Sequence, residues 1–240
     1  MPAIFLSRRA YLTYSLAAIN LLIFLYMFSQ GGVEAGRIYR QTTVIVPQAL
    51  GAVEWWKLLA ANFVHRDLPH LLQNLVFLCA LCPLVEFVFG RKRFLLIYLA
   101  SGVGALFLVL IYALIFNEYV PLLRVHRPQI VGGASAAILG VIGARGAIFL
   151  RHWKRQKSSL ARNHFLFVLL IVLSQMGADL LRFNVAFGAH ITGAVLGFVI
   201  GLILKHESLS FEEANPISLG GAEKQADPGT AKKAAASAEP

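Results

Sequence analysis

Charge is what this chain has least of. Only 14% of its 240 residues are Asp, Glu, Lys or Arg, against about 25% in ordinary soluble domains. With 58% hydrophobic residues and a mean hydropathy of +0.67, that shortage excludes a soluble globular fold. Acidic residues are scarcer than basic ones, 12 against 22, which leaves a net charge of +10. The basic residues sit in short clusters between apolar runs and form no long arm or amphipathic face, which excludes nucleic acid as a partner. Cysteine is almost absent. Cys79 and Cys82 form a Cys-x-x-Cys inside an apolar run, with no second pair to complete a zinc site. They read as small apolar packing residues.

What is present is a succession of apolar runs near the ~20 residues a helix needs to cross the hydrocarbon core. They cover about 10–28, 68–89, 94–116, 135–150, 165–181 and 189–204. The expected fold is an all-α polytopic membrane protein with six transmembrane helices. Arg8 and Arg9 before the first run resemble the start of a signal peptide. The run is long, however, and no small-x-small cleavage site follows, so a retained first helix is expected. Residues 29–57 are too polar to span and are expected to form an outer loop, ending in the interfacial anchor Trp55-Trp56-Lys57. Pro69 suits the first turn of the second helix. The organisation is then a short N-terminus (1–9), a membrane domain (10–205) and a tail (206–240) rich in Ala, Gly, Pro, Glu and Lys, whose composition reads as disordered. With six spans, Arg8/Arg9, Arg91–Arg93, the cluster from Arg151 to Arg162, and Lys205 fall on one side. Arg37, Arg40, Arg124, Arg127 and Arg182 are fewer and more dispersed on the other. Both termini are therefore expected in the cytoplasm.

That topology brings chemically capable side chains to one depth. The second, fourth and sixth helices all run inward from the outer face. Near their starts lie His65, His70 and Asn74, then Ser135, then His190. Small residues at spacing four, Ala136/Gly140/Ala144 on one helix and Gly193/Gly197/Gly201 on the other, allow close packing. Ser135 would thereby come within reach of His190. Two readings of Ser135 stand side by side: a residue that lets helices approach, or a nucleophile served by a base. His70 and Asn74, four apart on one face, are donors of the kind an oxyanion site requires. The N–H at Ser135 adds another, since the first N–H groups of a helix lack internal partners. The histidines also have plainer readings, as caps or as metal ligands, though no carboxylate or cysteine obviously completes a zinc shell. His126, His152, His164 and His206 read as solvated. Asp179 is costly in lipid and is expected to face the interior or the outer end near Arg182. Arg145 is expected to snorkel. Glu86 is expected to pair with Arg91–Arg93 or cap a loop. No carboxylate is expected beside His190.

Taken together, the residues resemble the rhomboid family of intramembrane serine proteases over about 56–201. The resemblance rests on Trp56-Lys57, on His65-x4-His70-x3-Asn74, and on Glu86 followed by Gly90. It continues with Gly133-Ala-Ser135-Ala, with Ala189-His190-x2-Gly193-x3-Gly197, and with Asp179 upstream. It implies a six-helix rhomboid-like core with a catalytic Ser135–His190 dyad and an oxyanion held by His70, Asn74 and the Ser135 N–H. His65 would shape the cavity, and Gly133, Gly193 and Gly197 would serve structural roles. No metal and no cofactor are implied. Three positions depart from the family pattern. Ala136 stands for a common Gly, Leu139 for an aromatic ring packed on the base, and Lys57 for an Arg with bidentate reach.

The implied function is a serine endopeptidase acting through an acyl-enzyme on membrane proteins with a transmembrane segment. Its implied location is the lipid bilayer of a bacterial inner membrane. The alternative is a catalytically silent rhomboid-like protein that binds membrane clients, which would need neither Ser135 nor His190. A small transporter or channel would be expected to carry charged residues or broken helices in mid-membrane, and such residues are sparse.

Overall fold

In an apolar medium every backbone N–H and C=O must find its partner within the chain, and the helix is the element that satisfies them locally. The structure, a computed structural model, describes residues 10–46, 54–116, 129–181 and 187–204, and nearly all of them are helical. In order they form α1 (Tyr11–Ser29), α2 (Gly32–Thr42), β1 (Val44–Val46), α3 (Trp56–Ala60), α4 (Leu68–Leu81) and α5 (Pro83–Phe89). Then follow α6 (Arg91–Phe116), β2 (Gln129–Val131), α7 (Ser135–Gln156), α8 (Ser159–Leu181) and α9 (Phe187–Ile203). The expected N-terminal segment, the tail, and the loop positions Arg124, His126, Arg127, Arg182, Lys205 and His206 lie outside the described residues.

The protein is an integral membrane protein. Tyr11–Ser29, Arg91–Ala113 and Ser159–Leu181 are each long and apolar enough to cross a bilayer, and α4 with α5 makes a fourth candidate as a bent pair. The expected count of six is larger. Helix α9 is a shorter apolar helix, and Arg145, Arg151 and several glycines dilute the apolar character of α7. Large side chains such as Leu22 and Leu25 on α1 and Leu170 and Leu173 on α8 are exposed, as suits a surface solvated by acyl chains.

Several expectations are corrected by how helix ends are satisfied. The second run is two helices, bent by 42° at the break. Pro83 has no N–H to continue the ladder, so the end of α4 is left with free carbonyls. Arg145 Nη1 donates to one of them, Leu81 O, at 2.9 Å. Arg145 is therefore buried at the break and does not snorkel. Cys82 is buried at the same point and Cys79 is half-buried. Glu86 takes up the N–H groups at the start of α1, accepting from Leu12 N at 2.9 Å, Thr13 N at 2.7 Å and Thr13 Oγ1 at 2.7 Å. Arg91 Nε stands 4.0 Å away. A negative group at a helix N-terminus is favourable both for its hydrogen bonds and for the helix dipole. Arg151 likewise donates to carbonyls that close α9, including Leu204 O at 3.1 Å. The fourth helix runs one and a half turns past the expected Leu150, so His152 is buried on α7 instead of solvated, and His164 stacks on Phe149 with ring centroids 4.8 Å apart.

The outer segment 29–57 is not an irregular loop. It holds α2 and β1, and β1 pairs antiparallel with β2 in the register Val44↔Val131, Ile45↔Ile130, Val46↔Gln129. This ties it to the chain that enters α7.

Helix α7 is the central element, buried along most of its length. It packs against α6, α8 and α9 and touches α4 and α5. A Cβ added at Gly197 would overlap the Gly140 backbone, one at Gly193 the Ala136 carbonyl, and one at Gly143 the Ala194 carbonyl. The two helices thus meet backbone to backbone, as small-residue faces allow. Gly140 also lies against Ser101 of α6, so three helices converge on it.

Candidate active site

A helix start with no side-chain cap is a polar point in an apolar protein, and α7 begins that way. Its entry is held from outside. Gly133 N donates to Ala61 O at 2.7 Å, and Ala134 N approaches His65 Nε2 at 3.5 Å. Gly133 adopts φ +124°, a conformation L side chains rarely adopt, and a Cβ there would strike the His70 ring. Only glycine lets the chain turn into α7 this close to His70. Ser135 is thereby the first residue of the helix, at the wall of a cavity of about 550 Å3.

The cavity is lined by His70, Gln73 and Asn74 of α4, Gly133, Ser135 and Leu139 on the α7 side, Gln175 and Asp179 of α8, and His190 of α9. Tyr39 of α2 and Arg66 and Asp67 before α4 complete its wall. Asp67 starts α4 by accepting the His70 N–H at 2.9 Å, a cap that fixes where His70 sits in the first turn.

Within this cavity Ser135 Oγ lies 2.6 Å from His190 Nε2. Ser135 is half-buried and His190 buried. Asn74 is buried, and its Nδ2 has no hydrogen-bond partner among the described residues. An unpaired buried donor is expensive, so it stands ready for an acceptor placed in the cavity. His65 is buried beside His70, with ring centroids 5.1 Å apart and an interplanar angle of 65°. Burial first, and the neighbouring His70 second, push its pKa down to about 3, so it is a neutral wall. Gly193 and Gly197 lie outside the cavity and shape it indirectly, by setting how closely α9 approaches α7.

One expectation is overturned. A carboxylate does stand beside His190: Asp179 Oδ2 is 2.6 Å from Nδ1. Asp179 is 2% exposed. Its Oδ1 accepts from Gln175 Nε2 at 2.8 Å, and Gln175 Oε1 accepts from Gln73 Nε2 at 2.9 Å. The roles of Gln73 and Gln175 were not anticipated. The i, i+4 spacing of Gln175 and Asp179 on one helix was the available signal. Tyr39 and Arg66, which reach the cavity from outside the helices that carry the histidines and Ser135, left no local signal.

A hydroxyl hydrogen-bonded to an imidazole, next to an unpaired amide donor and open space, is an arrangement suited to nucleophilic attack on a carbonyl. Among the described residues no group of three His, Cys, Asp or Glu converges as metal ligands do.

Comparison with known proteins identifies a family. A family model for the Rhomboid domain matches residues 52–207. The chain is similar to "Rhomboid protease GluP" of Bacillus subtilis (strain 168), 28% identical over 196 residues that cover 82% of this chain and 35% of that protein. It is also similar to "RHOMBOID-like protein 6, mitochondrial" of Arabidopsis thaliana, 33% identical over 167 residues covering 65% and 49% of the two chains. "Putative rhomboid protease YdcA" of Bacillus subtilis (strain 168) is 25% identical over 169 residues, covering 69% of this chain and 75% of that one. The chain therefore spans a third to a half of the length of the first two relatives.

Proposed function

This chain belongs to the rhomboid family, and from that membership and the cavity geometry we propose that it is an intramembrane serine endopeptidase. The observation that carries the reading is the 2.6 Å contact between Ser135 Oγ and His190 Nε2 at the cavity wall. His190 Nε2 takes the hydroxyl proton as Ser135 Oγ bonds to the carbonyl carbon of a substrate peptide. The carbonyl electron pair moves onto oxygen, where Asn74, His70 and the Ser135 N–H receive it. Collapse expels the amine, which leaves with the proton from His190. Water then repeats the sequence on the acyl-enzyme. His65 keeps the back of the cavity closed.

In this reading the substrates are membrane proteins whose transmembrane segment enters the cavity between helices. The core has six spans: α1, the bent α4–α5 pair, α6, α7, α8 and α9. The Arg91–Arg93 and Arg151–Arg162 connections face the cytoplasm, with both termini. The test is labelling of detergent-purified protein with a fluorophosphonate serine-hydrolase reagent, beside Ser135→Ala and His190→Ala. Labelling and cleavage of a helical membrane substrate are expected in the wild type and in neither variant. Labelling that survives Ser135→Ala overturns the reading, as does folded wild-type protein that neither labels nor cleaves. The second of these results is what a client-binding protein would give.

A further inference from the structure

A carboxylate buried in a membrane-embedded helix is kept only where it has a partner that needs it, and Asp179 has chosen the base. We propose that Asp179 is the positioning residue of His190, holding the imidazole so that Nε2 faces Ser135, and that Gln175 braced by Gln73 fixes the carboxylate in turn. This rests on the protease reading above and deepens it, turning a two-residue arrangement into three residues with a brace.

Four observations carry it. Both carboxylate oxygens are engaged, Oδ2 with His190 Nδ1 at 2.6 Å and Oδ1 with Gln175 at 2.8 Å. Asp179 is 2% exposed and His190 6%, so little of either side chain is open to the cavity that they line. Among the described residues the ion-pair partner of Asp179 is His190 itself. Finally, the other wall of the cavity offers the ring no aromatic hold at position 139: Leu139 is aliphatic. Holding a ring of two distinct nitrogens requires fixing which one carries the hydrogen. An acceptor at Nδ1 makes that nitrogen the donor and leaves Nε2 with its lone pair toward Ser135. As Nε2 gains the serine proton, the imidazole becomes cationic beside an anion already in place. The proton stays on His190 until it passes to the leaving amine. Asp179 gains none.

Gln73 lies on α4 and Gln175 on α8, so the brace joins two helices that flank the cavity. The orientation of the base is thereby linked to the helix that carries His70 and Asn74. The base-orienting residues and the oxyanion donors share one framework.

The decisive variant is Asp179→Asn, which keeps shape and loses charge. With a helical membrane-protein substrate in detergent, kcat is expected to fall about 100-fold or more, within the ~10⁴ loss such a change causes in a soluble serine protease. KM is expected to stay within about threefold, the sign of an interaction made in the transition state. Asp179→Glu, which retains the charge, should recover part of kcat. Gln175→Met removes only the brace and should lower kcat about fivefold, the worth of one neutral hydrogen bond. It is the variant to read if Asp179→Asn does not accumulate. A second arm needs no turnover. A low-field imidazole N–H proton resonance is expected in the wild type and in Ser135→Ala, and is expected to vanish in Asp179→Asn. Activity of Asp179→Asn within threefold of wild type, or a low-field resonance that survives the change, overturns the proposal. Wild-type protein that cleaves nothing but shows the resonance, lost in Asp179→Asn, overturns the protease reading and leaves the positioning of His190 intact.

Discussion

Glu86 and Asp179 are both acids at 2% exposure in an integral membrane protein, and the two regions around them use a buried carboxylate for different ends. Glu86 receives three hydrogen bonds, two from the first N–H groups of α1 and one from Thr13 Oγ1, and does not border the cavity. Its hydrogen-bond partners are two backbone N–H groups and a hydroxyl, with the Arg91 guanidinium at 4.0 Å. Its region is closed and satisfied, and its work is to hold α1 to α5. Asp179 receives two bonds, one of them from a histidine whose other nitrogen touches Ser135, and it borders open space. Burial is the same in both regions. Access to a cavity and a histidine partner that contacts Ser135 are what distinguish the Asp179 region from that of Glu86.

That contrast is sharpened by variants that move activity and stability separately. Asn74→Ala lies on the cavity side. It should lower kcat about 10²- to 10³-fold, the usual result of removing one oxyanion donor, while melting in detergent stays close to wild type because the deleted Nδ2 has no partner to lose. A large loss of thermal stability with normal kcat would place Asn74 with Glu86 instead. Glu86→Ala should do the reverse. Leaving the Leu12 and Thr13 N–H groups buried without an acceptor should cost about 3 kcal/mol, read as a lower denaturation midpoint with unchanged activity per folded molecule. Unchanged stability would break the comparison.

The smallest effect is expected at Asp67, whose carboxyl is partly exposed at the cavity rim. Asp67→Ala removes the cap of α4 and should cost about 1 kcal/mol. Burial raises the Asp67 pKa, but the His70 N–H and the hydrogen bond and charge of Arg66 outweigh it and hold the carboxyl below its ordinary value. A depressed folded value means the contribution is complete above the unfolded value of about 3.9 and disappears as pH falls through the lower folded value. The stability gap between wild type and Asp67→Ala should thus be constant from neutral pH down to about 5 and close below about 4. A gap that widens with acid would contradict the capping role.

The apolar runs and the small-residue faces were legible in the residues themselves, because period and composition are local properties of the chain. Ala136, Gly140 and Ala144 announce a face that another backbone can approach, and the structure puts Gly193, Gly197 and Gly201 against it. Legible too was a shared layer of Ser135, His190, His70 and Asn74, since topology alone sets which helix ends lie at one depth.

Only the tertiary structure decided the rest. That Asp179 meets His190 depends on how α8 is rotated against α9, which no spacing within α8 encodes. The bend at Pro83 was written in the residue, but its acceptance depended on Arg145 arriving from another helix to take the Leu81 carbonyl. Likewise β1 in the outer segment pairs with β2, which follows it in the chain only after α3, α4, α5 and α6. The sequence by itself determined which stretches are apolar helices and which helix ends carry polar side chains, because those follow from each residue and its near neighbours. The partners of buried polar groups were decided by tertiary packing, because a hydrogen bond 2.6 Å long is set by the relative placement of whole helices.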